Sequence, residues 1–243
     1  MTGASYGVGA ATALALARAG HDVAMTATRT DNLRRTVESL ADTGARVVPL
    51  ALDLRAQDSI MRAFGEAQAA LGQIDVLVNN AAVNLRRLAL DVTPDEWDAV
   101  LDTNARGTFF LSQQAGRHWI AAKQPGCIVN IASAHAFVGA AERSTYGISK
   151  AAIVHMTKML AVEWGDHGIR VNAVAPGRMQ TDSPSRADKG ADPAYIGAIL
   201  ERIPLHRLAT AEEVAAAVAW LASPAAGSVT GQTIVLDGGL TAA

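Results

Sequence analysis

The chain has 243 residues, of which 50% are hydrophobic and only 5% aromatic, and its formal net charge at pH 7 is −2. This length suits one large domain spanning residues 1–243, and the charge balance provides no basic surface to attract nucleic acid or anionic lipid. The single cysteine, Cys127, cannot form an internal disulfide. The N-terminus lacks a basic region followed by a long apolar stretch, so we expect no secretory signal, and no apolar run reaches the ~18 residues needed to span a bilayer. We therefore expect a cytoplasmic protein that binds neither nucleic acid nor membrane.

Short β-rich runs alternate with helical stretches along the chain. The predicted strands are 23–27, 46–50, 74–79, 127–132, 169–174 and 233–236. The predicted helices are 7–19, 31–41, 59–71, 95–122, 144–164 and 212–222,. A threonine followed three residues later by a glutamate, at Thr93 and at Thr210, indicates a capped helix start. The alternation predicts a doubly wound α/β fold, in which a parallel sheet carries helices on both faces and ligands bind beyond the carboxyl ends of the strands.

A glycine-rich turn opens the chain, with Gly3, Gly7 and Gly9 leading directly into an alanine-rich helix. Glycine allows a tight turn and a close approach of backbone to ligand, and a helix N-terminus presents free N–H groups to a pyrophosphate. This favours a dinucleotide site, although the same glycines also suit a purely structural turn. At the end of the following strand stand Thr28 and Arg29, where an NAD site carries an acid. A hydroxyl beside a guanidinium suits a 2′-phosphate, so we favour NADP(H), with NAD(H) possible and a solvated Arg29 as the alternative.

Tyr146 and Lys150 are four residues apart on a predicted helix, so they share one face. A tyrosine titrates near pH 10, and a neighbouring lysine cation brings its pKa closer to neutrality. The spacing alone is common. Ser133, which follows an apolar run, and Asn104, in an earlier helical segment, make a proton-transfer site the better interpretation.

The motifs together resemble those of the short-chain dehydrogenase/reductase family, over nearly the whole chain. They occur in family order and spacing: the 2–9 turn, Asp53-Leu54, the 79–82 run Asn-Asn-Ala-Ala, Asn104, Ser133, Tyr146-x-x-x-Lys150, Pro176-Gly177-x-x-x-Thr181 and the closing 237–239 run Asp-Gly-Gly. The resemblance implies a Rossmann-like fold and a nicotinamide cofactor. It implies the cofactor-binding residues Gly3, Ser5, Tyr6, Gly7, Val8, Gly9, Thr28, Arg29, Asp53, Leu54, Asn80, Ala81, Tyr146, Lys150, Pro176, Gly177 and Thr181, with Asp53 on the adenine and Thr181 on the carboxamide.

The resemblance also implies the catalytic residues and their roles. Tyr146 is expected to exchange a proton with the substrate oxygen as hydride is transferred, and Lys150 to lower the tyrosine pKa and hold the nicotinamide ribose. Ser133 is expected to hydrogen-bond the same substrate oxygen. Asn104 is expected to hold a water that links Lys150 to solvent. The scattered histidines offer no metal-ligand spacing, so we expect no metal site.

These residues predict an oxidoreductase that interconverts a small-molecule ketone and a secondary alcohol. Within that class, a 3-oxoacyl-acyl-carrier-protein reductase and a sugar or polyol dehydrogenase both remain open. Arg86 and Arg87 could meet an acidic carrier or could lie in a solvated turn. The segment 182–195 is expected to close over the substrate, and the long helices are expected to pair in a homotetramer.

Members of this family normally begin with a hydrophobic strand at the centre of the sheet, and here Met1 stands where that strand should end. Its absence is expected to leave two neighbouring strand edges unpaired and exposed, at ~1 kcal/mol or more for each lost hydrogen bond. An upstream start codon is the favoured explanation, and a weakly folding product is the alternative. The missing strand also keeps open a noncatalytic dinucleotide-binding protein. Tyr6 stands where many NADP-dependent relatives carry a basic residue, which weakens the preference for NADP(H).

Overall fold

The computed structural model describes residues 1–179 and 193–243 and confirms the parallel α/β fold. Every predicted strand is present, and its ends differ from the prediction by at most two residues. The strands are β1 Val23–Ala27, β2 Val47–Ala51, β3 Val76–Asn79, β4 Gly126–Ile131, β5 Ile169–Pro176 and β6 Thr233–Leu236. The best-formed part of the sheet has the order β3-β4-β5-β6. β4 pairs over its full length with the first six residues of β5, from Gly126 opposite Ile169 to Ile131 opposite Val174.

The helices are α1 Gly7–Arg18, α2 Arg34–Ser39, α3 Gln57–Leu71, α4 Pro94–Leu101, α5 Thr108–Ala122, α6 Ser144–Trp164, α7 Pro193–Leu200 and α8 Ala211–Ala222. Thr93 and Thr210 form the expected capping boxes at the starts of α4 and α8. The predicted helix 31–41 is wrong at both ends, because α2 is preceded by a 3₁₀ turn at Thr30–Leu33 and stops at Ser39. The predicted helix 95–122 is interrupted by a π-helical segment at Asp102–Gly107.

Helices cover both faces of the sheet, as the prediction required. On one face α1 packs against α8, and their apolar residues join those of β1 and β4 in one core. On the other face α3 packs against α5, with the fully buried Trp119 at the centre of a second core. In the part of the chain that the structure describes, no helix combines the length and the apolar character needed to cross a membrane.

The sheet is divided between β1 and β3, where the sequence predicted a missing strand. β1 and β2 form a two-stranded sheet, and β3 belongs to the four-stranded sheet. Between them lies a cavity of about 100 Å³, which we call the central slot. Its apolar lining comes from both flanking strands and from both helical layers, and includes Leu16, Val23, Leu52, Phe64, Leu77, Val78 and Leu111.

Residues 1–4 lie between β1 and β3 and form hydrogen bonds to both strands near their carboxyl ends. The Thr2 N–H donates to the Val78 carbonyl (3.0 Å), while the Ala4 N–H donates to the Thr26 carbonyl (3.1 Å) and the Thr26 N–H to the Met1 carbonyl (2.9 Å). The expectation of exposed strand edges is therefore wrong for β1, which is buried along its whole length. Its edge is enclosed by the helical layers rather than open to solvent.

Candidate active site

Tyr146 and Lys150 lie on the first turns of α6, which begins directly after Arg143. The Lys150 side chain is buried beneath the helix, where its ammonium donates to the Ile131 carbonyl at the end of β4 (2.6 Å). The ammonium lies 5.8 Å from the centre of the Tyr146 ring. Burial lowers the pKa of Lys150 to about 8, because the charged form loses its hydration,. The spacing predicted from sequence thus brings a partly buried phenol and a buried cation together.

Ser133 follows β4 at the carboxyl end of the sheet and is also buried. Its hydroxyl accepts a hydrogen bond from the His135 N–H (3.2 Å), and the His135 ring meets the Tyr146 ring edge-on at 6.2 Å. Gly147 allows this approach, since a Cβ there would lie 3.0 Å from the His135 carbonyl oxygen. Ser133, His135 and Tyr146 consequently face one cleft.

Asn104 lies in the π-helical segment, a feature that often marks functional sites,. Its side chain is buried, accepts from the Val83 N–H (2.7 Å) and donates to the Val83 carbonyl (2.9 Å) and the Ser149 hydroxyl (3.0 Å). Ser149 in turn donates to the Tyr146 carbonyl (2.7 Å). Asn104 therefore ties the loop after β3 to the start of α6. The expected water between Asn104 and Lys150 stays a prediction.

The glycine-rich turn approaches the loop after β3 very closely. Gly3 has a φ of 63°, and a Cβ there would lie 2.7 Å from the Ala81 Cα. Asn80 fixes the turn by donating from its side-chain amide to the Gly3 carbonyl (2.8 Å). The Asn80 and Ala81 N–H groups donate to the Thr2 hydroxyl (2.9 and 3.0 Å). Beyond this contact run Ser5, the exposed Tyr6, Gly7, Val8 and Gly9, and α1 begins with no side-chain cap on its first N–H groups.

Thr28 and Arg29 are exposed at the carboxyl end of β1. The Arg29 guanidinium lies 3.9 Å from the carboxylate of Asp31, an acid two residues beyond the predicted pair. Asp53 follows β2 and accepts hydrogen bonds from Arg55 (2.9 and 3.1 Å), which hold the pKa of the Asp53 carboxyl below its usual value. Leu54 beside it is buried.

The active-site cleft opens at the carboxyl ends of β4 and β5 and has a volume of about 590 Å³. The predicted site residues that line it are Val8, Asn80, Ser133, Tyr146, Lys150, Pro176 and Gly177. The other predicted residues lie outside this lining, and Thr181, like the segment 182–192, falls outside the described residues. Sequence reasoning missed several lining residues, among them the polar Asn84, Arg143, Arg178 and Arg202. Only Arg143 carried a signal, since it precedes Tyr146 by three residues.

Residues 3–241 match a protein-family model described as enoyl-(acyl carrier protein) reductase. A 2-dehydro-3-deoxy-D-gluconate 5-dehydrogenase of Escherichia coli is 38% identical, covering 98% of this chain and 93% of the relative. A 3-oxoacyl-[acyl-carrier-protein] reductase of Thermotoga maritima is 36% identical, covering 99% and 96%. A protein from Agrobacterium tumefaciens, solved with bound NADP, superimposes with a TM-score of 0.91 at 36% identity, covering 100% of this chain and 95% of its own.

Each of these relatives matches the chain from end to end at well above 30% identity, and the two named relatives are enzymes. The comparison favours an oxidoreductase over the noncatalytic alternative. The fold agrees, because the parallel sheet with helices on both faces is shared with the solved structures. The chain therefore belongs to the short-chain dehydrogenase/reductase family and is an NAD(P)-dependent oxidoreductase that interconverts an alcohol and a ketone.

Proposed function

We propose that Tyr146 is the general acid and base of this reaction and that Lys150 tunes it. The observation that carries the proposal is the buried Lys150 ammonium 5.8 Å from the Tyr146 ring. With a pKa of about 8, Lys150 is mostly cationic at neutral pH, and a cation in low dielectric favours the phenolate of its neighbour,. Tyr146 gives its proton to the substrate oxygen in reduction and takes it back in oxidation.

Ser133 and Asn104 support this proton transfer in different ways. The Ser133 hydroxyl faces the same cleft as Tyr146 and stabilises charge on the substrate oxygen by donating a hydrogen bond,. Asn104 is a positioning residue, because its amide fixes Ser149 and hence the turn of α6 that carries Tyr146 and Lys150.

The residues around the glycine-rich turn fit a dinucleotide. The uncapped N–H groups at the start of α1 suit a pyrophosphate, and Gly3 keeps the turn free of a side chain that would strike Ala81,. Gly3, Ser5, Tyr6, Gly7, Val8 and Gly9 would hold the phosphates, Thr28, Arg29, Asp53 and Leu54 the adenosine, and Asn80, Ala81, Tyr146, Lys150, Pro176, Gly177 and Thr181 the nicotinamide half. When bound, this cofactor supplies or accepts a hydride.

NADP(H) is the favoured cofactor because Arg29 is exposed where a 2′-phosphate would lie,. Asp31 competes for the same guanidinium, so the preference rests on one partly compensated charge. Replacing Arg29 by Gln is expected to lower kcat/KM for NADPH about 10-fold, the scale of one charge-assisted contact, and to leave the value for NADH within about 2-fold. Arg18→Gln, at an exposed position on α1, is the matched control. An unchanged NADPH value would remove Arg29 from the site.

A homotetramer is part of the proposal. The outer faces of α5 and α6 expose large apolar side chains, including Phe109, Ile148, Met159 and Val162, the last of which is 84% exposed. Such a patch is rare on a monomer and fits helix pairing between subunits. Sedimentation velocity of the purified protein measures the state directly, and a monomer at micromolar concentration would contradict it.

The test of the catalytic proposal is Tyr146→Phe. We expect kcat to fall by about 10²- to 10⁴-fold, because the phenyl ring keeps the packing but cannot transfer a proton. The dissociation constant for NADPH and the melting temperature should stay close to those of the wild type, which separates chemistry from folding. Retention of more than a tenth of the wild-type kcat would rule out Tyr146 as the proton donor.

A further inference from the structure

Hydrogen bonds from two different elements hold the glycine-rich turn. From the loop after β3, the Asn80 side-chain amide donates to the Gly3 carbonyl (2.8 Å). From α2, the Thr36 hydroxyl donates to the Ala4 carbonyl (2.8 Å) and lies 3.4 Å from the Ser5 carbonyl oxygen. Asn80 belongs to the family motif at 79–82, whereas Thr36 belongs to none of the family motifs found in this chain.

Thr36 is buried in a helix that is itself fixed by packing. It is 2% exposed and lies near the middle of α2. Leu33 and Leu40, on either side of it in the chain, are fully buried in the same core as Ala4. A hydroxyl that is buried so completely needs a polar partner, and here the partner is the backbone of the turn,. The bond therefore adds a defined direction to the packing of α2 against the turn.

This bond also fixes the direction of peptide groups in the turn. In a planar trans peptide, the C=O of one residue and the N–H of the next point in opposite directions. Because the Ala4 carbonyl points at Thr36, the Ser5 N–H points away from α2. The contact of the Ser5 carbonyl with Thr36 directs the Tyr6 N–H away in the same manner. Among the described residues neither N–H group donates to an acceptor, so both can donate to a ligand.

Ala4 is held at both of its backbone polar groups. Its N–H donates to the Thr26 carbonyl of β1 (3.1 Å), and its carbonyl accepts from Thr36. Thr36 in turn follows Arg29, at the end of β1, by only seven residues. The segment from Arg29 to Thr36 thus joins the two places where phosphate groups are proposed to bind, the 2′-phosphate at Arg29 and the pyrophosphate at the turn.

We propose that Thr36 is a positioning residue for dinucleotide binding, which holds the glycine-rich turn in the conformation that receives the pyrophosphate. The inference rests on the proposed function. A turn that is already ordered does not use binding free energy to become ordered. Without the Thr36 hydroxyl, the Ala4 carbonyl loses its partner and the peptide groups of the turn are free to rotate, so the cofactor must reorder them when it binds.

The role of Thr36 differs from that of Arg29 in the cofactors that it affects. NADPH and NADH both contain the pyrophosphate, so loss of the Thr36 hydroxyl should weaken both by the same factor. Arg29 is proposed to meet only the 2′-phosphate, so its loss should weaken NADPH alone. Because the two residues act on different parts of the ligand, the effects of Thr36→Ala and Arg29→Gln on NADPH binding should be additive.

The test compares Thr36→Ser with Thr36→Ala, two variants that differ from each other only in the hydroxyl. Fluorescence titration of the reduced nicotinamide gives the dissociation constants for NADPH and NADH, at a temperature where each variant is fully folded. We expect Thr36→Ala to raise both constants about 10-fold, the scale of one or two hydrogen bonds. Thr36→Ser keeps the donor, so both constants should stay within about 3-fold of the wild type.

Two controls separate the turn from the rest of the fold. Thr12 on α1 is fully buried, and its hydroxyl has no hydrogen-bond partner among the described residues. Thr12→Ala, the same substitution without the loss of a bond, should leave both dissociation constants within about 2-fold. Adenosine 2′-monophosphate carries the adenosine and the 2′-phosphate but no pyrophosphate. Its dissociation constant, measured by competition with NADPH, should also change less than about 2-fold in Thr36→Ala.

The possible results are distinct. Unchanged NADPH and NADH binding in Thr36→Ala, a loss confined to NADPH, or an equal loss for adenosine 2′-monophosphate would overturn the role of Thr36 and leave the oxidoreductase intact. If Thr36→Ala does not fold, Thr36→Val, which keeps the side-chain volume, is measured in its place and judged by the same results. A wild-type protein that binds neither dinucleotide would overturn the proposed cofactor site and this inference with it.

Discussion

The active-site cleft and the central slot each contain a buried amino group that donates to a strand carbonyl. In the cleft Lys150 donates to Ile131 (2.6 Å), and in the slot the Met1 amino group donates to Ala24 (2.7 Å). Burial lowers both pKa values, to about 8 for Lys150 and about 5 for Met1. The Lys150 ammonium lies 5.8 Å from the centre of the Tyr146 ring, the proposed proton donor. The Met1 amino group is buried in its neutral form at pH 7, because burial holds its pKa at about 5,.

The two regions also differ in backbone support. β4 and β5, which carry the residues of the cleft, pair with each other over six registered positions, from Gly126–Ile169 to Ile131–Val174. The glycine-rich turn depends instead on the few hydrogen bonds of residues 1–4 to β1 and β3. We infer that the residues proposed for proton transfer are held by the more extensively hydrogen-bonded part of the sheet. The glycine-rich turn proposed for cofactor binding is held by the less extensively hydrogen-bonded part.

The largest effect should come from removing the Lys150 ammonium group from the cleft. Lys150→Met keeps the length and apolar character of the stem but leaves Tyr146 without a neighbouring charge, so we expect kcat to fall about 10²- to 10³-fold. Lys158→Met, two turns further along α6 and exposed, should keep at least half of the wild-type kcat. Similar losses in both variants would mean that Lys150 acts through helix stability rather than through its charge.

Several features of the cleft could be predicted from the sequence because they are local. The four-residue spacing of Tyr146 and Lys150 fixes a shared helix face, and the Val- and Ile-rich runs identify strands at whose ends ligands bind. The capping boxes at Thr93 and Thr210 are similarly short-range.

Other features depend on contacts between distant segments. The π-helical segment around Asn104 has no local signal, because it accommodates hydrogen bonds to Val83 and Ser149, 21 and 45 residues away. The burial of Lys150 depends on β4, and the convergence of Arg86, Arg143 and Arg202 depends on three separate elements. No short stretch of the sequence contains all the residues that take part in any of these contacts.

The second-largest effect should come from filling the central slot with an added β-strand, which should increase the stability of the protein. Fusing six alternating β-branched and apolar residues before Met1 extends residues 1–4 in the same direction between β1 and β3. Four to six new hydrogen bonds and the filled cavity should add about 3 kcal/mol to the free energy of unfolding and roughly 6–12 °C to the melting temperature. Denaturant unfolding and calorimetry measure both quantities.

The control for this fusion is a six-residue Gly-Ser extension of equal length, which adds chain without strand propensity or apolar surface. If both extensions raise the melting temperature equally, the gain comes from removing the buried terminal amino group and not from filling the slot. If neither does, the slot does not accept a strand.

The smallest effect is the dependence of stability on pH, which distinguishes the Met1 amino group from that of Lys150. Both have a lower pKa in the folded than in the unfolded chain, so the unfolded chain binds more protons and stability rises with pH between the two values. That window runs from about 5 to 8 for Met1 and from about 8 to 10.5 for Lys150. The expected slope is at most on the order of 1 kcal/mol per pH unit in each window.

Acetylating the Met1 amino group keeps its N–H and removes its titration, so it should reduce the slope of stability against pH in the lower window alone. Lys150→Met should reduce the slope in the upper window. Urea unfolding from pH 5.5 to 10 measures both slopes, and an acetylated protein with an unchanged lower slope would show that the Met1 amino group is not buried in the slot.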